Sequence, residues 1–194
     1  MCRDLLFQAR APRVRPGWDD KVLADWNGLM IAAMANAGLV CARPDWIETA
    51  RAAFEFVRRE MAAPDGRLLH SWREGRARHP AGVDDYANLC RAALSLYEAT
   101  GDDALLIKVR DWVAILDLHY WDRAGSGYFF SADDTEALIA RAKTAADSAV
   151  PAGNGTLVGV LARLAILTGE DTYRRRAEAI VETFSGELDR KSVV

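Results

Sequence analysis

Three segments of this chain combine carboxylates, amides and aromatic rings. They are Asp19-Asp20-Lys21-Val22-Leu23-Ala24-Asp25-Trp26-Asn27-Gly28, then Asp84-Asp85-Tyr86-Ala87-Asn88, then Asp147 through Asn154-Gly155. Carboxylates and amides take hydroxyl groups, and rings stack on the apolar face of a sugar. Two carboxylates facing one ligand can also trade protons as general acid and base. Asp85, Asp20 and Asp147 are therefore the candidate acid–base groups, with Lys21, Trp26, Asn27, Tyr86 and Asn154 as ligand-binding groups. A plainer reading stands beside this one. Asp and Asn just before a helix cap its first N–H groups and suit its dipole, and Trp26 and Tyr86 could be core aromatics.

The histidines are His70, His79 and His119. His79 lies on the approach to Asp85 and is the strongest catalytic candidate of the three, although an exposed loop histidine would read the same. His70 belongs to a return loop that could overhang the same mouth. His119 closes a helix, where the C-terminal dipole suits it. No H-E-x-x-H, G-x-S-x-G, phosphate-loop or zinc-ligand spacing occurs, so metalloprotease, serine-hydrolase and nucleotide-binding readings have no support. No cofactor and no metal ion is expected.

Helices must position these groups. Six segments carry helical periodicity, at about Leu23–Val40, Asp45–Met61, Tyr86–Ala99, Ala104–His119, Asn154–Leu167 and Thr172–Leu188. The first, third and fifth are apolar nearly all round. The second, fourth and sixth are amphipathic, as where Ile47, Ala50, Phe54 and Val57 share one face. An all-round apolar helix needs cover on both sides, whereas an amphipathic one faces water. The alternation predicts an inner and an outer layer of helices. The hairpins repeat: Thr100-Gly101-Asp102-Asp103 resembles Thr168-Gly169-Glu170-Asp171. In each, Gly ends an inner helix and acidic residues open the outer one. Such a repeat predicts a helical array or an (α/α) toroid. The returns around Asp65–Gly75 and Asp122–Phe130 are long, with turn residues flanking short runs, and predict small β-hairpins or extended loops. If the inner helices run parallel, the three polar segments meet at one end.

Composition bounds the function. The 194 residues carry a net charge of −3, so no basic field points to nucleic acid or an anionic membrane. The longest apolar stretch, Gly28 to Ala42, is short of the ~20 residues of a membrane span. Cys2, Cys41 and Cys90 lie far apart, without C-x-x-C. Cys41 and Cys90 sit in apolar helical patterns and are expected to be buried. An odd cysteine count with no visible signal peptide implies a reducing, cytoplasmic setting.

The run Asp19-Asp20-Lys21-Val22-Leu23 with Trp26-Asn27-Gly28-Leu29-Met30-Ile31, then Asp85-Tyr86-Ala87, then Asp147 with Pro151, Gly153 and Asn154, appears in one order. It resembles the thioredoxin domain-containing family that includes bacterial YyaL and spermatogenesis-associated protein 20. The resemblance runs from about Arg15 to Gly186. It departs at Ala142, where Pro is expected, and at Ala152, where the family's Ser would add a hydroxyl to the site. It implies part of an (α/α)6 toroid of the six-hairpin glycosidase type, similar to N-acylglucosamine 2-epimerases, with about three helical hairpins and short β-hairpin returns. It also implies, as partners, the earlier hairpins of the toroid and a thioredoxin-like domain. The toroid portion is expected over 1–188, with 189–194 a truncated or non-native tail.

Two functions follow as expectations. One is a toroid that binds or transforms a sugar-like metabolite by epimerisation, isomerisation or hydrolysis. The other is a non-catalytic scaffold that serves a thioredoxin-like domain in redox chemistry or protein quality control. Carboxylates within glycosidase range, roughly 5 to 9.5 Å, favour the first.

Overall fold

A computed structural model describes residues 2–136 and 139–191, with the side chains of the last helix described to residue 186. Three helical hairpins form its body. They are α2 (Ala24–Val40) with α3 (Pro44–Glu60), α4 (Val83–Thr100) with α5 (Asp103–His119), and α6 (Gly153–Thr168) with α7 (Asp171–Lys191). A short helix α1 (Cys2–Arg10), every residue of it exposed, precedes them.

The two layers follow from composition. α4 has packing partners on all sides: α2 and α6 flank it in the inner layer, and α5 lies behind. Twelve of its residues are buried, Tyr86, Ala87, Leu89, Cys90 and Leu94 among them, as an inner helix demands. α3 buries only Ala50, Phe54 and Val57, the predicted stripe. Close approach of α2 to α4 depends on Gly28. A Cβ there would lie 2.7 Å from the Asn88 carbonyl carbon, against backbone that cannot step aside. The edge-on contact of Tyr86 with Tyr120 at 5.6 Å ties inner α4 to the end of outer α5, and that of Phe54 with Trp112 at 5.8 Å joins the outer helices α3 and α5.

The ends of α4 and α6 and the start of α5 follow the capping chemistry. Gly101 and Gly169 close α4 and α6 in the left-handed conformation, φ 70° and 72°. Asp102 caps α5 by accepting from the Ala104 N–H at 3.0 Å. In the first hairpin Ala42 takes the left-handed slot without glycine. Cys41 stands there too, past the end of α2, and is exposed; the expectation of a buried thiol fails because the apolar pattern outlasts the helix. Cys90 is buried as expected.

The first return is a three-stranded antiparallel sheet, in the order β1 (Val22–Leu23), β2 (Leu69–Arg73), β3 (Arg76–Pro80). Its β2–β3 hairpin answers the sequence pattern. The added strand β1 was not legible, because two residues carry no alternation. Pairing of Val22 with Trp72 and Leu23 with Ser71 brings the first polar segment over the start of α4. The second return forms no hairpin among the described residues. It has one bridge, Trp121 to Tyr128, and then irregular chain held by side chains. α4 starts three residues earlier than its apolar pattern, and α7 continues past Leu188 to Lys191, so the tail boundary at 188/189 is not a helix end. Residues 192–194 of that tail lie outside the described residues. No helix of the described residues is long and apolar enough to cross a membrane.

Candidate functional site

The N-terminal ends of the three inner helices gather at one end, and two consecutive aspartates gather them. Asp85 Oδ1 accepts the Asp25 N–H of α2 at 3.0 Å. Asp84 Oδ1 accepts the Gly153 N–H of α6 at 2.7 Å. Asp85 Oδ2 accepts the Gly82 N–H at 2.8 Å, the carboxylate half of a capping box. First-turn N–H groups have no partner inside their helix, and ionised oxygens bond them strongly. The capping reading of Asp85 is thus physically present.

Asp85 does more than cap. His70 Nδ1, on β2, lies 3.0 Å from both of its oxygens. A carboxylate only accepts, so Nδ1 carries the hydrogen and Nε2 is left as the second nitrogen of the ring. The carboxylate is buried, with 3% of its side chain exposed, while the imidazole is 38% exposed. The hydrogen bond to Asp85 raises the His70 pKa, against the opposing pull of burial. Asp25 completes the cluster, its own carboxyl accepting the Trp26 N–H at 2.8 Å. Burial, and then the charge of Asp85, push the Asp25 pKa up. Asp25, His70 and Asp85 present three ligand-type atoms within 4.8 Å of one another, a donor set that a divalent cation could use. Each Asp85 oxygen also accepts one backbone N–H.

The remaining candidate residues divide by what they touch. Asp20 pairs with Arg73 at 2.5 Å and Lys21 with Asp19 at 3.4 Å, all of them well exposed. Trp26 is 59% exposed on the first turn of α2, a free ring face. Asn27 donates to the Leu23 carbonyl at 2.8 Å. Asp147 accepts the Ala152 N–H at 2.9 Å and so holds the approach to α6. Asn154 is buried and fully engaged: it accepts the Tyr128 N–H and donates to the Tyr128 and Thr144 carbonyls. Tyr86 is buried, and its hydroxyl accepts the Leu68 N–H at 3.0 Å. Burial pushes that phenol up to about 12. Tyr86 is a core aromatic, not a stacking platform. His79 lies exposed on β3 with φ 62°, and it is His70 that reaches Asp85.

Asp25, Asp84 and His70 were missed as site residues. The doublet Asp84-Asp85 was visible, but nothing in it says that the two side chains part to opposite neighbours. His70 could have been found from the period-two pattern Leu69-His70-Ser71-Trp72, which sends His70 and Ser71 to opposite faces of the strand.

No family model matches the sequence. The chain is 33% identical over 206 residues to human spermatogenesis-associated protein 20, covering 97% of this chain and 25% of that protein. The rat protein of the same name is 33% identical over 201 residues, with the same coverage. The chain thus spans about a quarter of the length of these relatives. Solved structures share the fold at low identity. A cellobiose 2-epimerase from Spirochaeta thermophila superposes with TM-score 0.67 at 16% identity, over 84% of this chain and 43% of that one. An unsaturated glucuronyl hydrolase specific for heparin gives 0.70 at 16%, over 89% and 48%. A Salegentibacter α-1,6-mannanase gives 0.68 at 16%, over 93% and 52%. That mannanase was solved as an inactive variant, two consecutive aspartates changed to asparagine, with α-1,6-mannotriose. The architecture is therefore that of a six-hairpin (α/α) toroid, of which this chain holds three hairpins.

Proposed function

We propose that the gathered ends of α2, α4 and α6 bind a sugar-like metabolite and move a proton on it, by epimerisation or isomerisation. One observation carries the reading: His70 is held through Nδ1 by the buried Asp85, which leaves Nε2 for a ligand. A neutral imidazole near its working pH is a competent general base, and the carboxylate behind it stabilises the imidazolium that forms. Nε2 would take the proton from the carbon beside the carbonyl of an open-chain sugar. The C–H electron pair would pass into an enediolate; return of the proton from the imidazolium to C1, with the O2 proton passing to O1, would give the ketose, and protonation of C2 on its opposite face by water, whose hydroxide then takes the imidazolium proton, would give the epimer. The exposed Trp26 ring supplies a stacking face, and the similar solved enzymes that act on sugars support the substrate class. The spermatogenesis-associated protein 20 relatives support placing this piece within that family, whose thioredoxin-like domain and earlier hairpins would be its partners.

A second reading, glycoside hydrolysis, draws on the mannanase. Two consecutive aspartates matter there, and Asp84-Asp85 are consecutive at this rim. Asp85 is less suited to that work, since both of its oxygens hold N–H groups.

The test incubates the 194-residue chain, and human spermatogenesis-associated protein 20 beside it, with glucose, mannose, N-acetylglucosamine and cellobiose in deuterium oxide. Proton NMR reads the hydrogen at C2. Deuterium should enter C2 of one sugar with the natural chain and fail to enter with His70→Gln, while a cooperative melt shows that this variant is folded. Cleavage of cellobiose without exchange would replace the reading by hydrolysis. No binding, exchange or cleavage by either protein would leave the scaffold function.

A further inference from the structure

Asp84 has a feature that neither helix capping nor the His70 pair uses. Its Oδ1 holds the Gly153 N–H, but no group among the described residues bonds its Oδ2. The side chain is half-buried. It forms one wall of a cleft of about 190 Å³ between the first turns of α4 and α6, with Tyr128, Phe130, Thr144, Ser148 and Asn154.

The cleft is built, not incidental. Asn154, buried to 1% exposure, ties Tyr128 on one side to Thr144 on the other and so fixes both walls. Asp147 holds the Ala152 N–H and sets the loop that closes the cleft. Gly153 is obligatory in this arrangement, because a Cβ there would lie 2.6 Å from Asp84 Oδ1. Phe130, half exposed, lends an apolar face. Lining and size then select the ligand. No Lys or Arg lines the cleft, so phosphate or carboxylate has no counter-charge and meets Asp84 instead. Its volume of about 190 Å³ is enough for a small polyol or one sugar ring.

We infer that this cleft is a subsite for an uncharged, hydroxyl-bearing group, with Asp84 Oδ2 as the acceptor of its hydroxyl hydrogen. The inference rests on the sugar-type reading and adds to it where one ring of the ligand is held. Burial raises the Asp84 pKa, and the charges of Asp85 and Asp25 raise it further, which fits a carboxyl that gains from a hydroxyl partner.

The test titrates the isotopically labelled 194-residue chain with D-mannose and, separately, with glycerol, and follows two sets of NMR signals. The Gly153 and Tyr128 amides report on the cleft, and the His70 imidazole reports on the proton-transfer pair. Saturable shifts at both amides, with affinity about tenfold weaker in Asp84→Asn, are expected. The asparagine keeps an oxygen for the Gly153 N–H. Saturation at His70 alone would overturn the cleft and leave the sugar reading standing, as would unchanged affinity in Asp84→Asn. No saturation at either reporter would overturn both. The natural chain decides between these outcomes even if Asp84→Asn does not fold.

Discussion

Two histidine–aspartate pairs in this molecule have the same length and different consequences. His70 and Asp85 meet at 3.0 Å, and so do His119 and Asp133. Asp85 is buried and bonded by two backbone N–H groups, whereas Asp133 is 54% exposed on the chain that follows the second return. His119 also lies 3.5 Å from Asp134, whose carboxylate is already taken on both oxygens by Arg67. The first pair joins a strand to the gathered ends of the inner helices; the second joins the end of a helix to a surface loop. Distance alone therefore does not make a site. A fixed, desolvated carboxylate holds its histidine in one tautomer and orientation, while an exposed one competes with water and with neighbouring charges.

The largest contrast should appear on removing the carboxylates. Asp85→Ala leaves two backbone N–H groups without an acceptor beside a buried cavity and the half-exposed imidazole without its partner, and should cost about 3 kcal/mol or more in urea unfolding. Asp133→Ala should stay within about 0.5 kcal/mol. Equal losses would mean that burial is not what distinguishes the pairs.

Two glycines of one helix give the next contrast. Gly153→Ala drives a methyl into Asp84 and Val83 and should cost about 1–3 kcal/mol. Gly155→Ala meets nothing within 4 Å and should stabilise by up to about 1 kcal/mol. Thermal melts of the two variants check this, and a stable Gly153→Ala would show that the seating of α6 on Asp84 is slack.

The pH dependence sharpens the role of the buried pair. The His70 pKa is raised in the folded chain, so the native state holds that proton more tightly than the unfolded one. Its stabilisation is complete below about pH 6.5 and is lost as pH rises through the raised value. Asp25 and Asp84, also raised, act in the same direction from about pH 4 upward. The melting temperature should fall as pH rises above about 6.5, and His70→Gln should flatten that fall. An identical slope in the variant would remove the pair from the account.

The smallest effect belongs to the surface. Arg73→Ala breaks the exposed pair with Asp20 and should cost under about 1 kcal/mol in the same melts. A larger loss would show that this pair anchors the sheet over the rim.

The sequence by itself determined the six hairpin helices, their two layers and most of their ends, but not the exposed α1 or the extension of α7 past Leu188. These are local properties: apolar periodicity within a segment, glycine at a left-handed close, an aspartate at an N-terminus. That is why α2, α3, α5 and α6 fall within a residue of their expected bounds, while α4 starts three residues early on a cap that carries no apolar signal. Tertiary structure alone decided the site. Asp85 meets Asp25 across 60 residues of chain and His70 across 15. Sequence order made His79 look nearest to Asp85, but the β2–β3 hairpin turns His70 toward it instead. Tyr86 looked free beside Asp85, but the helical turn points it into the core against Tyr120. Which face of a strand or helix looks onto a neighbour depends on the neighbour's position. That position is set by packing such as the Gly28 contact with α4, not by the spacing of residues along the chain.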